Sequence, residues 1–234
     1  RGEPLAAVAA IDEATAEAAL HAIVLDIDPL PAYFSADDAR ADGAVLLHDN
    51  KAGNIERQVE QDFGDIEAGF KQADVIVENT FTTQVTHQSY LEPHACVARY
   101  GQDGQVVVWT TTQGPFLVRE QCAAILGMDA ARIKVTPSEI GGGFGGKIVV
   151  YLEPLAIALA RTANRPVQMI MTRGEVFRAS GPTSGAVVRM RMGAKRDGTI
   201  VAATASIWYE GGAYRGAPIG PGAMCCLASY TIPN

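Results

Sequence analysis

The sequence predicts an α+β fold, with mixed and antiparallel sheets and packed helices. Two Asp-Gly turns, in "GQDGQ" and "KRDGT", sit between β-branched runs, as hairpins require. One apolar stripe in "PFLVREQCAAILGM" has helical spacing, with Pro115 at its start and Gly127 at its end. Strands and helices then alternate without a strict βαβ repeat, so no all-parallel sheet is implied.

Taken in order, "LAAVAAIDEATAEAALHAIVLDIDPLP" reads as a strand, an Ala-rich helix capped at Asp12 or Thr15, and a strand closed by Pro29 and Pro31. This is the pattern of the tail of a small β-α-β unit. Residues 32–54 are polar and Gly/Asp-punctuated, as a connection would be, which places a boundary near Asp42 and divides the chain into 1–41 and 42–234. A short helix at "DIEAGFKQAD", a strand at "VIVENTFTT", a turn-rich stretch and a strand at "ACVARY" follow, the last forming a hairpin with "VVVWTTT". The helix of Phe116, Val118, Cys122, Ile125 and Leu126 leads to a strand at "RIKVTP". Next come a glycine loop, a helix with Pro154 near its start, a strand at "VQMIMT" and a long hairpin from Ala186 to Glu210. The chain begins with Arg1 and ends on "LASYTIPN", whose strand-like "ASYTI" has no successor to pair with. We therefore expect a processed or excised piece with more protein after it.

A chain with 48% hydrophobic and 19% charged residues has the composition of a folded globular protein. The 19 basic and 26 acidic side chains give a net charge of −7 without a basic cluster, which argues against nucleic-acid and anionic-membrane binding. Apolar runs such as 154–160 fall short of the roughly 20 residues needed to cross a bilayer. Cys96, Cys122, Cys225 and Cys226 lack C-x-x-C spacing, so they are expected as buried, reduced thiols in a reducing, cytoplasmic compartment.

The stretch "EIGGGFGGKIVV" carries the chemistry. Gly141 to Lys147 matches G-x-x-x-x-G-K, and Gly141, Gly143 and Gly146 match G-x-G-x-x-G, both phosphate-cradle patterns. A P-loop needs Ser or Thr after the lysine to bind magnesium, and Ile148 stands there. A dinucleotide site needs an acidic residue about 20 positions on, where Thr172 and Arg173 come first and Glu175 follows. A flexible linker would not place Phe144 among glycines. Something approaches this backbone closely.

"GGGFGGK", with "TTTQGPF" before it and "HQSYLEPHACVARY" further upstream, resembles the molybdenum-binding large subunit of the xanthine dehydrogenase/aldehyde oxidase family. The resemblance extends from "EPLAAVAAIDEATAEAAL", similar to the end of that family's a/b hammerhead domain, to "YTIPN". It implies that residues 1–41 are a hammerhead-like tail and linker and that 42–234 are the first part of the molybdopterin-binding domain. It further implies oxidation of an aldehyde or N-heteroaromatic C–H with water-derived oxygen. The cofactor would be molybdopterin carrying Mo, in the cytosine dinucleotide form, with electrons passing to [2Fe–2S] and FAD on other domains or subunits. By position, Gln113 matches the glutamine whose amide bonds the apical oxo ligand. Phe144 and Gly145 match the loop beside the metal, with Phe144 packing a flat substrate and the Gly145 amide contacting a metal-bound ligand. Gly142 and Gly143 complete the expected cofactor-binding set, and Gln113 and Phe144 are the expected catalytic pair.

Departures narrow the implication. Purine-oxidising members carry a glutamate where Ile148 stands, which favours the aldehyde-oxidising or carbon monoxide dehydrogenase-like branches, although the copper-binding cysteine loop of the latter is not found. The family's catalytic glutamate, in a "GxGE" motif, is likewise not found, so the chain alone is expected to be inactive. Alternatives from other classes are a nucleotide-binding module and a catalytically silent interaction domain. His87, Glu92 and His94 lack metal-ligand spacing, and Glu92 is expected to order a loop by hydrogen bonding. Ser138 and Ser180 lie in no G-x-S-x-G elbow. The second glycine-rich patch, with Tyr209, Tyr214 and Arg215, is a secondary candidate for the substrate side.

Overall fold

The computed structural model describes residues 2–214, 217 and 219–234. In chain order the elements are α1 (Glu13–His21), α2 (Ala36–Ala39), α3 (Ile66–Lys71), β1 (Val75–Thr83), β2 (Ala95–Tyr100), β3 (Val106–Thr110), α4 (Pro115–Leu126), β4 (Ile133–Pro137), α5 (Glu153–Ala163), β5 (Val167–Ile170), α6 (Arg173–Ala179), β6 (Ala186–Ala194), β7 (Ile200–Tyr209) and α7 (Ile219–Cys225). The α+β expectation holds, with one mixed and one antiparallel sheet. The chain divides into two compact units, residues 1–28 with 87–182, and 29–86 with 183–234.

The first unit is a four-stranded sheet in the order β4-β3-β2-β5. β2 and β3 form the expected antiparallel hairpin, turned at Asp103–Gly104, with Gly104 at φ 77°. The crossover through α4 returns the chain to lie parallel to β3 as β4. Alternation buries Cys96 and Ala98 of β2 and Val106 and Val108 of β3 on one face, where they meet Val118 and Cys122 of α4 and Ala156, Ile157 and Ala160 of α5. Both helices begin at a proline in the first turn and end at a left-handed residue, Gly127 after α4 and Asn164 after α5.

Two details of the sequence reading change here. The buried stripe of α4 is Val118, Cys122 and Ala123, while Phe116 and Ile125 flank it and stay exposed. Asp12 caps α1 by accepting from the Thr15 N–H at 2.8 Å, as expected, but the segments on either side form no strand. Leu5, Val24, Leu25 and Ile27 are all exposed there. A strand is stabilised only through its neighbour's hydrogen-bond ladder, and among the described residues these segments have none.

The second unit is an antiparallel sheet in the order β1-β6-β7. The expected long hairpin pairs β6 with β7 around Asp197–Gly198, and β1 pairs with β6 over its whole length. α3, capped by Asp65, turns Gly69 and Phe70 inward and packs against β7. "ASYTI" is not a strand. The terminus instead folds back so that Asn234 accepts from the Asp65 and Ala203 N–H groups and donates to the Val201 carbonyl. Of the cysteines, Cys96 and Cys122 are buried as expected, whereas Cys225 is exposed and Cys226 half-buried.

Candidate functional site

The glycine loop lies between β4 and α5, and the Thr111–Gly114 segment that follows β3 lies against it. Gln113 joins the two through both backbone and side chain. Its N–H donates to the Lys147 carbonyl at 2.8 Å, and Thr112 Oγ1 donates to the same carbonyl at 3.1 Å. In return Gln113 Oε1 accepts from the Gly145 N–H at 3.1 Å and the Lys147 N–H at 3.3 Å. Two N–H donors on one oxygen fix which end of the amide is oxygen. Nε2 is therefore the outward group, on an exposed residue and without a hydrogen-bond partner among the described residues.

Close approach explains the glycine at 143. A Cβ there would lie 2.5 Å from Gln113 Oε1. The Gly146 N–H donates to the Gly143 carbonyl at 2.7 Å, closing a turn whose central residues, Phe144 and Gly145, have φ of 49° and 87°. Positive φ at both positions is the I′ pattern, which Gly145 meets freely and Phe144 meets with strain. Phe144 is 75% exposed, and its ring edge lies over Gly142. The structure thus brings Gln113, Gly143 and Gly145 into contact and places Gly142 and Phe144 beside them. The Gly145 amide, assigned by resemblance to a metal-bound ligand, donates to Gln113 here.

Beneath the loop the sequence reading missed a polar platform. Lys147 is buried, with 0% of its side chain exposed, and its Nζ bonds Glu92 Oε2 at 2.8 Å. The same oxygen accepts from the Gly141 N–H at 2.8 Å. Glu92 does order the loop, then, and the Lys147 ammonium is engaged by Glu92 within the fold rather than exposed on the loop surface, which weighs against the P-loop reading. Burial opposes ionisation of Glu92, but the bonds from Lys147 and Gly141 outweigh it and hold its carboxyl below the usual range. No spacing rule links residue 92 to residue 147, so only the fold could show the pair.

Tyr90 is 1% exposed and forms the floor, with Lys147 Nζ 5.0 Å from its ring centroid. The Tyr90 hydroxyl lies 2.6 Å from His94 Nε2 and 3.1 Å from Ser180 Oγ, and His87 Nε2 lies 2.8 Å from that same Oγ. The Ser89 N–H donates to His87 Nδ1, so neutral His87 carries its proton on Nε2 and donates to Ser180. Burial, reinforced by the Lys147 charge, holds His94 down at a pKa of about 4, so it is neutral and accepts from Tyr90. Arg173 donates to the carbonyls of Tyr90 and Leu91 and fixes this stretch from α6.

Several other candidates are absorbed structurally. Glu175, the acidic residue nearest a ribose-binding position, closes the capping box of α6 with Thr172. His87, Glu92 and His94 form no metal-holding group among the described residues. Tyr209 ends β7 in the second unit, and Arg215 lies outside the described residues. No helix among the described residues is long and apolar enough to cross a membrane.

The mixed sheet thus carries a glycine loop whose Gly145 and Lys147 N–H groups are clamped by the side-chain oxygen of Gln113. Residues 47–234 match the molybdopterin cofactor-binding domain family, and the chain belongs to it. It is 29% identical over its whole length to the nicotinate dehydrogenase large molybdopterin subunit of Eubacterium barkeri, covering 55% of that protein. It is 32% identical, again over its whole length, to a probable xanthine dehydrogenase subunit from Bacillus subtilis, covering 31% of it. Among solved structures, aldehyde oxidoreductase from Desulfovibrio gigas superposes with a TM-score of 0.84 at 25% identity, over 95% of this chain and 25% of that one. Quinoline 2-oxidoreductase from Pseudomonas putida 86 gives 0.76 at 28% identity, over 87% and 26%. The chain thus spans from about a quarter to about half the length of these relatives.

Proposed function

We propose that this chain is the first part of the molybdopterin-binding region of a molybdenum hydroxylase that oxidises an aldehyde or N-heteroaromatic C–H. Residues 1–41 are read as the hammerhead-like tail and linker, and residues 42–234 as the binding domain proper. The observation that carries the reading is the amide of Gln113, whose oxygen is held by two loop N–H groups so that its NH₂ faces outward. The residues fit a cofactor that presents oxygen acceptors: Gln113 offers a neutral donor, and the Gly143 backbone sits where a Cβ would displace it. When bound, the cofactor, in its cytosine dinucleotide form, supplies the redox centre for oxidation with oxygen from water, its electrons leaving through [2Fe–2S] and FAD partners.

The chain's own residues orient and enclose. Gln113 presents a donor without offering a metal ligand. Gly142, Gly143 and Gly145 keep the backbone low, and Phe144 offers an exposed aromatic face for a flat substrate. Ile148 in place of an acidic residue supports aldehydes or simple heteroaromatics over purines. The catalytic base is read as lying outside these residues, so the chain alone is inactive. A cytoplasmic location follows from the same reading.

The test is metal analysis with pterin extraction on the complete subunit, co-expressed with its Fe–S and FAD partners. Stoichiometric molybdenum and pterin are expected. ATP or NAD binding without molybdenum would favour a nucleotide module, and neither would leave a silent interaction domain.

A further inference from the structure

We infer that Glu92 and Lys147 are positioning residues: one carboxylate oxygen closes the two ends of the glycine loop, and the closed loop holds the Gln113 amide. This deepens the proposed function and rests on it for the role of Gln113. Glu92 Oε2 receives the Gly141 N–H and the Lys147 ammonium, each at 2.8 Å, so residues 141 and 147 are fastened to a single atom. The Glu92 N–H donates to the Gly141 carbonyl at 3.3 Å, adding a second hold on the same end. At the other end, the N–H and carbonyl of Lys147 are the groups that bond Gln113. Every residue of the expected cofactor-facing segment, 142 to 145, lies between those ends.

The burial pattern separates this from a surface ion pair. The Lys147 side chain is fully enclosed, while a third of the Glu92 side chain remains exposed. Lys147 cannot swing out to another partner, and removing Glu92 would leave its charge buried and uncompensated. The relief available is for the loop to open, which moves the Gly145 and Lys147 N–H groups away from Gln113 Oε1. The consequence is therefore local to the loop and is transmitted to one amide.

The experiment is hydrogen–deuterium exchange on the full-length protein and its Glu92→Gln variant, read peptide by peptide, alongside turnover in the complete assembly. Exchange in 139–150 should rise about ten-fold or more, with β2, β3 and α4 exchanging as in the parent. Turnover of Glu92→Gln with Gln113→Ala should fall no further than that of the weaker single variant, because the two changes disable one device. Glu92→Asp keeps the charge but is one methylene short, and it serves where Glu92→Gln does not fold. Unchanged exchange in 139–150, a rise spread over the whole first unit, or additive losses of turnover would each overturn the inference. Exchange needs no molybdenum, so a protein without metal still tests the loop, and a loaded protein with an unmoved loop leaves the proposed function standing.

Discussion

Gln113 and Lys147 exchange hydrogen bonds in both directions, backbone N–H to carbonyl at 2.8 Å one way and N–H to side-chain Oε1 at 3.3 Å the other. The acceptor half of the amide serves the protein, and the donor half, which has no partner among the described residues, is the half we propose meets the cofactor. Gln113→Glu should separate the two halves, since a carboxylate accepts from Gly145 and Lys147 but cannot donate. The expected result is a melting temperature near the parent's and a turnover reduced by about 10²-fold, as for the loss of a positioned donor. Gln113→Ala should lose turnover as well and also destabilise the loop, with Fe–S content retained. Calorimetry and steady-state kinetics on the complete assembly check both.

Gly143→Ala tests the close approach. The new Cβ would meet Gln113 Oε1 at 2.5 Å and its Cδ at 2.8 Å, so the Gln113 side chain must shift and strain its bonds from the Gly145 and Lys147 N–H groups. A destabilisation of about 1–3 kcal/mol is expected, as for overpacking at a fitted position, together with loss of bound pterin. Chemical unfolding and cofactor content give the two readings.

How much of this was legible in the sequence follows from how local each cause is. The β2–β3 hairpin, α4 and the β6–β7 hairpin are set by Asp-Gly turns, Pro115 and Gly127, all within a few residues of what they determine. Gln113 and Phe144 are named as candidates only through a motif. The Glu92–Lys147 pair was half seen, Glu92 as an organiser of the loop and Lys147 only as part of the motif, because its partner is 55 residues away and fixed by tertiary packing. The expected strands around α1 failed for the opposite reason: local apolar character is present, but a strand's stability lies in a neighbour that the segment does not carry.

The thiols should divide into two classes. Burial, with the Glu153 carboxylate nearby, pushes Cys122 up to about 12 and Cys96 higher still, so neither supplies thiolate at neutral pH. Cys225 is exposed and Cys226 half-buried. Two thiols per chain should react promptly with a disulfide reagent, and two only after unfolding. Titration with and without denaturant counts them.

Phe144→Gly should not destabilise the chain. Phe144 is 75% exposed and held at φ 49°, a conformation that costs a non-glycine residue about 1 kcal/mol and glycine almost nothing. If the ring faces substrate, kcat/KM for a flat aromatic aldehyde should fall while stability holds or rises. Unfolding midpoints and kinetics on aromatic and small aliphatic aldehydes together separate the two effects.

Acid should loosen the platform beneath the loop before the rest of the first unit. His94 has a pKa of about 4 in the fold, against an ordinary 6.5, so between those values the unfolded chain holds the extra proton. Stability therefore rises with pH across that window and is lost as pH falls through it, at no more than about 1.4 kcal/mol per pH unit from this residue. Glu92, whose carboxyl is depressed, acts in the same direction at lower pH: its contribution is present above its unfolded value and disappears as the folded group is protonated. Unfolding free energies measured at intervals from pH 7 to pH 4 should fall steadily, and a His94→Gln variant should show a shallower slope between 6.5 and 4. An equal slope in the variant would assign the acid sensitivity to other groups.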